Sequence, residues 1–155
     1  MTKVTFDLSE TESQDRYKLL SGLVVPRPIG WIGTRRPDGS KNLAPFSFFN
    51  VVSSNPPVVL FSAGSHRDRP KDSATLAEDS GEFTVNIVSE NVVEAMSVTA
   101  GSYSAEDDEF AIAGLTPVQG SIVDAPMVGE SPANLECRVS QVIDLDDSGG
   151  IRRRV

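Results

Sequence analysis

The chain is expected to fold as a predominantly β barrel, and three features of its 155 residues predict this. Short runs of β-branched and aromatic residues recur at close spacing, each bounded by Pro, Gly, Asn or Asp. The helix-compatible stretches between them are few and brief, so an alternating α/β sheet, which needs a helix after nearly every strand, does not fit. The length suits one hydrophobic core, and no internal repeat or low-complexity linker divides the chain. Residues 1–155 therefore read as one domain, with 1–22 as a lead-in segment and 146–155 as an atypical end.

Taken in order, residues 5–20 are polar, with Leu8, Tyr17, Leu19 and Leu20 as scattered anchors, and a short helix is expected to start at 15–20. From Leu23 to Thr34 the residues become strand-like. Pro37 presets φ and Asp38-Gly39 tolerates unusual φ, so 35–40 predicts the turn of a hairpin whose return strand and loop occupy 43–52. Pro56-Pro57 opens a further strand over 58–62. Residues 71–79 suit a short helix, with Gly81 in the left-handed position after its end. Residues 83–88 alternate with period two, as a half-buried strand does. Ser89 is expected to cap a helix over 91–98 with Val92, Val93 and Met96 on one face. An acidic loop fills 101–108, and the last strand patterns lie in 118–123 and 133–145.

Charge and rare residues narrow the function. Lys and Arg number 14 against 22 Asp and Glu, a formal charge of −8. A phosphate backbone demands the opposite excess, so an oligonucleotide-binding barrel is disfavoured despite its similar strand pattern. One cysteine, Cys137, and one histidine, His66, make neither an internal disulfide nor a zinc site, and Cys137 reads as a small buried apolar residue. His66 reads as a surface or hydrogen-bonded residue. No secretory leader and no apolar run near the roughly 20 residues of a membrane span are present, so a cytoplasmic, membrane-free protein is expected. No Ser/His/Asp set, paired acid motif or P-loop supports a hydrolase or kinase. Against the acidic background, Arg67, Arg69 and Lys71 with Asp68 and Asp72 form a net positive island. It lies just before a predicted helix, where free amides and the helix dipole also attract a small anion.

Several blocks occur together and in one order: Arg27-Pro28-Ile29-Gly30-Trp31-Ile32-Gly33-Thr34, Asn42-Leu43-Ala44-Pro45-Phe46-Ser47-Phe48-Phe49-Asn50, Ser54-Asn55-Pro56-Pro57-Val58, Arg67 with Lys71-Asp72, Glu82-Phe83-Thr84-Val85-Asn86, Asp108-Glu109-Phe110 before Gly114-Leu115, and Leu135-Glu136-Cys137. In this the chain resembles the flavin-reductase-like, FMN-binding split-barrel family, especially its flavoredoxin-type members. The resemblance implies a split β-barrel of Greek-key type, a homodimer, bound flavin mononucleotide (FMN), and hydride transfer from NADH or NADPH to the flavin and on to free flavin, a partner protein or another acceptor. A non-catalytic, FMN-binding electron carrier is the alternative.

By the same resemblance, Asn42, Ala44, Phe46 and Ser47 lie along the isoalloxazine edge, with Thr34 near them. Arg67 and Lys71 contact the phosphate or ribityl chain, and Asp72 fixes their loop. No side chain is expected to act as a catalytic acid or base, since the cofactor carries the chemistry. Trp31 and the aromatics of 46–49 serve equally well as core or dimer-interface residues. Residues 106–109 read as a solvated acidic loop, with a cap over the flavin as the functional alternative. The family carries further strands after 135–145, so the barrel is expected to be C-terminally shortened.

Overall fold

The computed structural model describes residues 3–66, 69–70, 72–146 and 152–154. Helix α1 (Ser13–Leu23) precedes strands β1 (Gly30–Arg35), β2 (Lys41–Phe46), β3 (Phe49–Ser54) and β4 (Pro57–Phe61), then the two-residue strands β5 (Ser65–His66) and β6 (Arg69–Pro70). Helix α2 (Asp72–Ser80) leads into β7 (Glu82–Ile87), followed by a 3-10 turn (Glu90–Val92), α3 (Val93–Val98) and α4 (Glu109–Ile112). Strands β8 (Pro117–Gln119), β9 (Pro126–Val128), β10 (Asn134–Arg138), β11 (Asp144–Asp146) and β12 (Arg152–Arg154) complete the described elements. The architecture is mainly β with a few short helices, as the residue pattern predicts.

The central sheet has the order β10-β7-β1-β2 with antiparallel neighbours, and the other strands pair two by two as β3-β4, β5-β6, β8-β9 and β11-β12. Period-two alternation divides its side chains between two faces. On one face Ile32, Phe46, Phe83 and Val85 pack against Ala74 and Ala77 of α2, with Phe61 of β4 against them. The Phe61 ring stands 5.2 Å from both Phe46 and Phe83, a tilted aromatic file that joins the hairpin β3-β4 to the sheet. The opposite face carries Trp31 and Leu43, which meet Val92, Phe110, Leu115 and Val128. Thr84 and Asn86 share that second face, where both are fully buried and bond to β9: Thr84 Oγ1 donates to the Pro126 carbonyl at 2.6 Å, and the Val128 N–H donates to Asn86 Oδ1 at 2.8 Å.

The expected hairpin over 35–40 forms between β1 and β2, with Gly39 at φ +87° in its turn. Gly81 likewise follows α2 at φ +72°, where a side chain would be strained. Four sequence expectations need correction. The strand expected from Leu23 begins only at Gly30, because α1 runs to Leu23 and Pro26 and Pro28 have no N–H for a ladder. Ser89 makes no side-chain cap, and the 91–98 helix opens as a 3-10 turn that buries Val92 and leaves Val93 41% exposed. The strand expected over 118–123 stops at Gln119, since the next residues wrap around the Glu136 carboxylate. That expected over 133–145 splits into β10 and β11.

Candidate functional site

β2 ends the central sheet, so its outer edge offers backbone groups that no strand among the described residues takes. Glu109 caps one of them: its carboxylate accepts the Leu43 N–H at 3.3 Å. Pro45, two residues on and therefore directed to the same side, has no N–H at all, which suits an edge position. Towards the end of β2 and just past it the chain is only partly covered, with Ala44, Pro45, Ser47 and Phe48 half-buried. Arg27 braces this stretch: Nη1 donates to Ser47 Oγ at 2.8 Å, and its guanidinium carbon lies 5.6 Å from the Phe48 ring centroid.

The basic island is carried by the segment between β4 and α2, and both ends of that segment are tied to the β2 stretch. At its start the Ser62 N–H donates to the Phe48 carbonyl at 2.7 Å. At its end Asn42 Nδ2 donates to Ser73 Oγ, in the first turn of α2, at 2.8 Å. Ser62, just after β4, and Ser73, in the first turn of α2, are thus both fastened to the β2 stretch.

The residues picked out by the resemblance divide into three groups. Thr34 and Asn42 are buried at 0% and 3% exposure and joined by a 3.1 Å hydrogen bond from Asn42 Nδ2 to Thr34 Oγ1, so their side chains support the edge strand from inside. Phe46, at 5% exposure, belongs to the core file with Phe61. Ala44 and Ser47 stay accessible, and Asp72 opens α2 with a carboxylate oxygen 3.9 Å from Arg36 Nη2. Arg67 and Lys71 lie outside the described residues.

The sequence singles out neither Arg36 nor Ser73, and it leaves the burial of Glu109 unseen. Arg36 stood inside a turn, where a charged residue ordinarily faces solvent, yet it is only 9% exposed. Glu109 was read as part of a solvated acidic loop and is instead 6% exposed, a correction with a clear cause: Asp108 caps α4 by accepting the Phe110 and Ala111 N–H groups, and the turn so formed carries Glu109 inward with Phe110. The signal available in the sequence was the Asp108-Glu109-Phe110 run itself, an acidic pair beside a large aromatic. Burial pushes the Glu109 carboxyl above its ordinary value and Asp108 adds to this, while the Leu43 amide and the Arg36 charge pull the other way. Cys137 packs half-buried against the core, and burial pushes its thiol up to about 11, leaving no reactive thiolate.

The four-stranded antiparallel sheet and its flanking hairpins define a split-barrel domain. The chain belongs to the flavin reductase like domain family, which it matches over residues 21–151. An uncharacterized protein of Aquifex aeolicus (strain VF5) is 44% identical over 143 residues, covering 92% of this chain and 73% of that protein. Among solved structures, nitrilotriacetate monooxygenase component B from Bacillus cereus superposes with a TM-score of 0.93 at 30% identity, over 99% of this chain and 78% of the other. Flavoredoxin of Desulfovibrio vulgaris (Miyazaki F) superposes with a TM-score of 0.68, also at 30% identity, over 84% of this chain and 67% of the other. No helix among the described residues is long and apolar enough to cross a membrane.

Proposed function

We propose that the chain binds FMN, with the ring beside the half-buried Ala44 and Ser47 and the phosphate at the segment that enters α2, and that it acts as an NAD(P)H-dependent flavin reductase. The observation that carries this reading is the double tether of that segment to the β2 stretch, at Ser62 and at Ser73. A flat ring edge needs backbone partners and a phosphate needs concentrated positive charge, and a tether that holds Ser62 and Ser73 to the β2 stretch supports a site that meets both needs. Bound FMN would supply the hydride-accepting chemistry, leaving the protein to bind, orient and exclude water. Ala44 and Ser47 would face the ring, with Thr34, Asn42 and Phe46 fixing the strand behind them. Arg67 and Lys71 would hold the phosphate, and Asp72 would fix their loop.

A homodimer is part of the proposal. Tyr17, Leu20, Leu23, Val24 and Val25 on α1 and the residues after it are between 46% and 77% exposed, as are Val51 and Val52 on β3, and a second copy would cover such apolar surface. The likeness to a monooxygenase component B favours an oxygenase as the electron acceptor. The likeness to a flavoredoxin favours a second reading, an electron carrier that is not reduced by nicotinamide.

The deciding experiment is the visible spectrum of the protein after mixing with FMN and desalting, then anaerobic addition of NADH and of NADPH. A retained flavin band that one nucleotide bleaches is the expected result, and it names the donor. A band that neither bleaches leaves the carrier reading. No retained band and no NAD(P)H-dependent reduction of added FMN would overturn both.

A further inference from the structure

Arg36 follows β1 and is buried to 9% exposure. A guanidinium keeps its charge throughout the ordinary pH range, so burying it requires fixed partners. Its Nη1 donates to the Lys41 carbonyl at 2.6 Å, and Nη2 reaches Asn42 Oδ1 at 3.4 Å and lies 3.9 Å from Asp72 Oδ2. Asn42 then donates to Ser73 Oγ at 2.8 Å. The backbone of Arg36 is held as well, because its N–H donates to the Ser40 carbonyl at 2.8 Å and its own carbonyl accepts the Gly39 N–H at 2.9 Å. One side chain therefore joins a rigid turn, the edge strand β2 and the opening residues of α2.

We propose that Arg36 is the positioning residue of the flavin site: it locks the start of α2, where the FMN phosphate would lie, to the strand that carries the ring. This deepens the flavin reading above and rests on it. Its hydrogen bonds go to protein acceptors, so its effect on a ligand is exerted through the spacing of the two halves. FMN spans both halves and senses that spacing. Riboflavin, which lacks the phosphate, engages the ring half and is nearly indifferent to it.

The test compares dissociation constants for FMN and riboflavin, by quenching of flavin fluorescence, in the full chain and in Arg36→Gln. Loss of a charge-assisted contact predicts an FMN constant raised about tenfold with the riboflavin constant changed less than about twofold. Arg36→Lys, which keeps the charge but not the fork, is expected to recover only part of the loss. Equal weakening of both flavins would reduce Arg36 to a general structural role and overturn the proposal, as would an unchanged FMN constant. If Arg36→Gln does not fold, Ser73→Ala supplies the same contrast, expected at about threefold on FMN, and equal weakening there also counts against it. A parent chain that binds neither flavin overturns the flavin reading itself, a result distinct from one confined to the variants.

Discussion

Gly33 and Pro126 approach so closely that a Cβ added to Gly33 would stand 2.3 Å from the Pro126 carbonyl oxygen, and 2.5 Å from Thr84 Oγ1. β9 lies over the sheet at this point, held by the Thr84 hydroxyl bonded to that same carbonyl. The nearest obstacle is backbone, which yields less readily than a side-chain tip. Gly33→Ala is therefore expected to destabilise the protein by about 1–3 kcal/mol, the usual cost of overpacking. Gly22, in α1, has nothing within 4 Å of the same hypothetical atom, so Gly22→Ala should be neutral or stabilise by up to about 1 kcal/mol through helix propensity. Urea midpoints of the two variants check both signs, and a neutral Gly33→Ala would mean that β9 is not fixed against β1.

Asn86 occupies the centre of the same layer with no exposure, and each end of its amide is used. Nδ2 donates to the Trp31 carbonyl at 2.9 Å, while Oδ1 accepts the Val128 N–H at 2.8 Å and Asn134 Nδ2 at 2.6 Å. Asn86→Leu would strand a buried carbonyl, a buried N–H and part of a second amide. Each orphaned group costs about 1–3 kcal/mol, so a loss of at least about 3 kcal/mol is expected. Equilibrium unfolding gives the size, and faster hydrogen exchange at the Val128 amide locates it.

Much of this fold was legible before the structure, and the reasons lie in particular residues. The hairpin at Asp38-Gly39, the α2 terminus at Gly81 and the alternation over 83–88 are local signals, each decided by φ preference or period. Glu109 and Arg36 were illegible because their burial depends on partners far along the chain: Leu43 for the first, Asp72 for the second. The residues of the ring-edge block were recognisable as a set, but their division into buried supports (Thr34, Asn42, Phe46) and half-buried positions (Ala44, Ser47) depends on distant partners, Ser73 over Asn42 and Phe61 over Phe46, which the block itself does not encode.

Glu136 organises the loop after β8 from across the sheet edge. Its carboxylate accepts the Ile122 N–H at 2.6 Å, the Val123 N–H at 3.0 Å and the Ser121 hydroxyl at 2.9 Å, and these donors hold its pKa down to about 2 from an ordinary 4.5. A depressed folded-state value stabilises the folded form above the unfolded value, and that contribution fades as pH falls from about 4.5 towards about 2. Amide exchange at Ile122 and Val123 is therefore expected to quicken, relative to the intrinsic rate, across that acid window. Glu136→Gln should show loosened loop amides already at pH 7 and no further acid-dependent change. A wild-type loop with the same protection at pH 2.5 as at pH 6 would contradict the reading.

Glu109 predicts the opposite pH sign from the other side of the molecule. Burial raises its carboxyl above its ordinary value, so the folded state holds the proton more tightly than the unfolded chain does. Its effect on stability is then most favourable below the unfolded-state value and is lost as pH rises through the folded-state one. Glu109→Gln removes the charge but keeps an oxygen able to accept the Leu43 N–H, so it is expected to be more stable than the parent at pH 7 and indistinguishable from it in acid. Glu109→Ala lacks that oxygen and leaves the Leu43 N–H without its partner, at a cost of about 1–3 kcal/mol. Because Leu43 sits in the edge strand beside Ala44, this variant should also weaken FMN binding where Glu109→Gln does not. Thermal unfolding at pH 4 and pH 7, with FMN titrations of both variants, separates the two roles: a Gln variant that loses stability at pH 7 would show that the charge itself, held near Arg36, supports the strand.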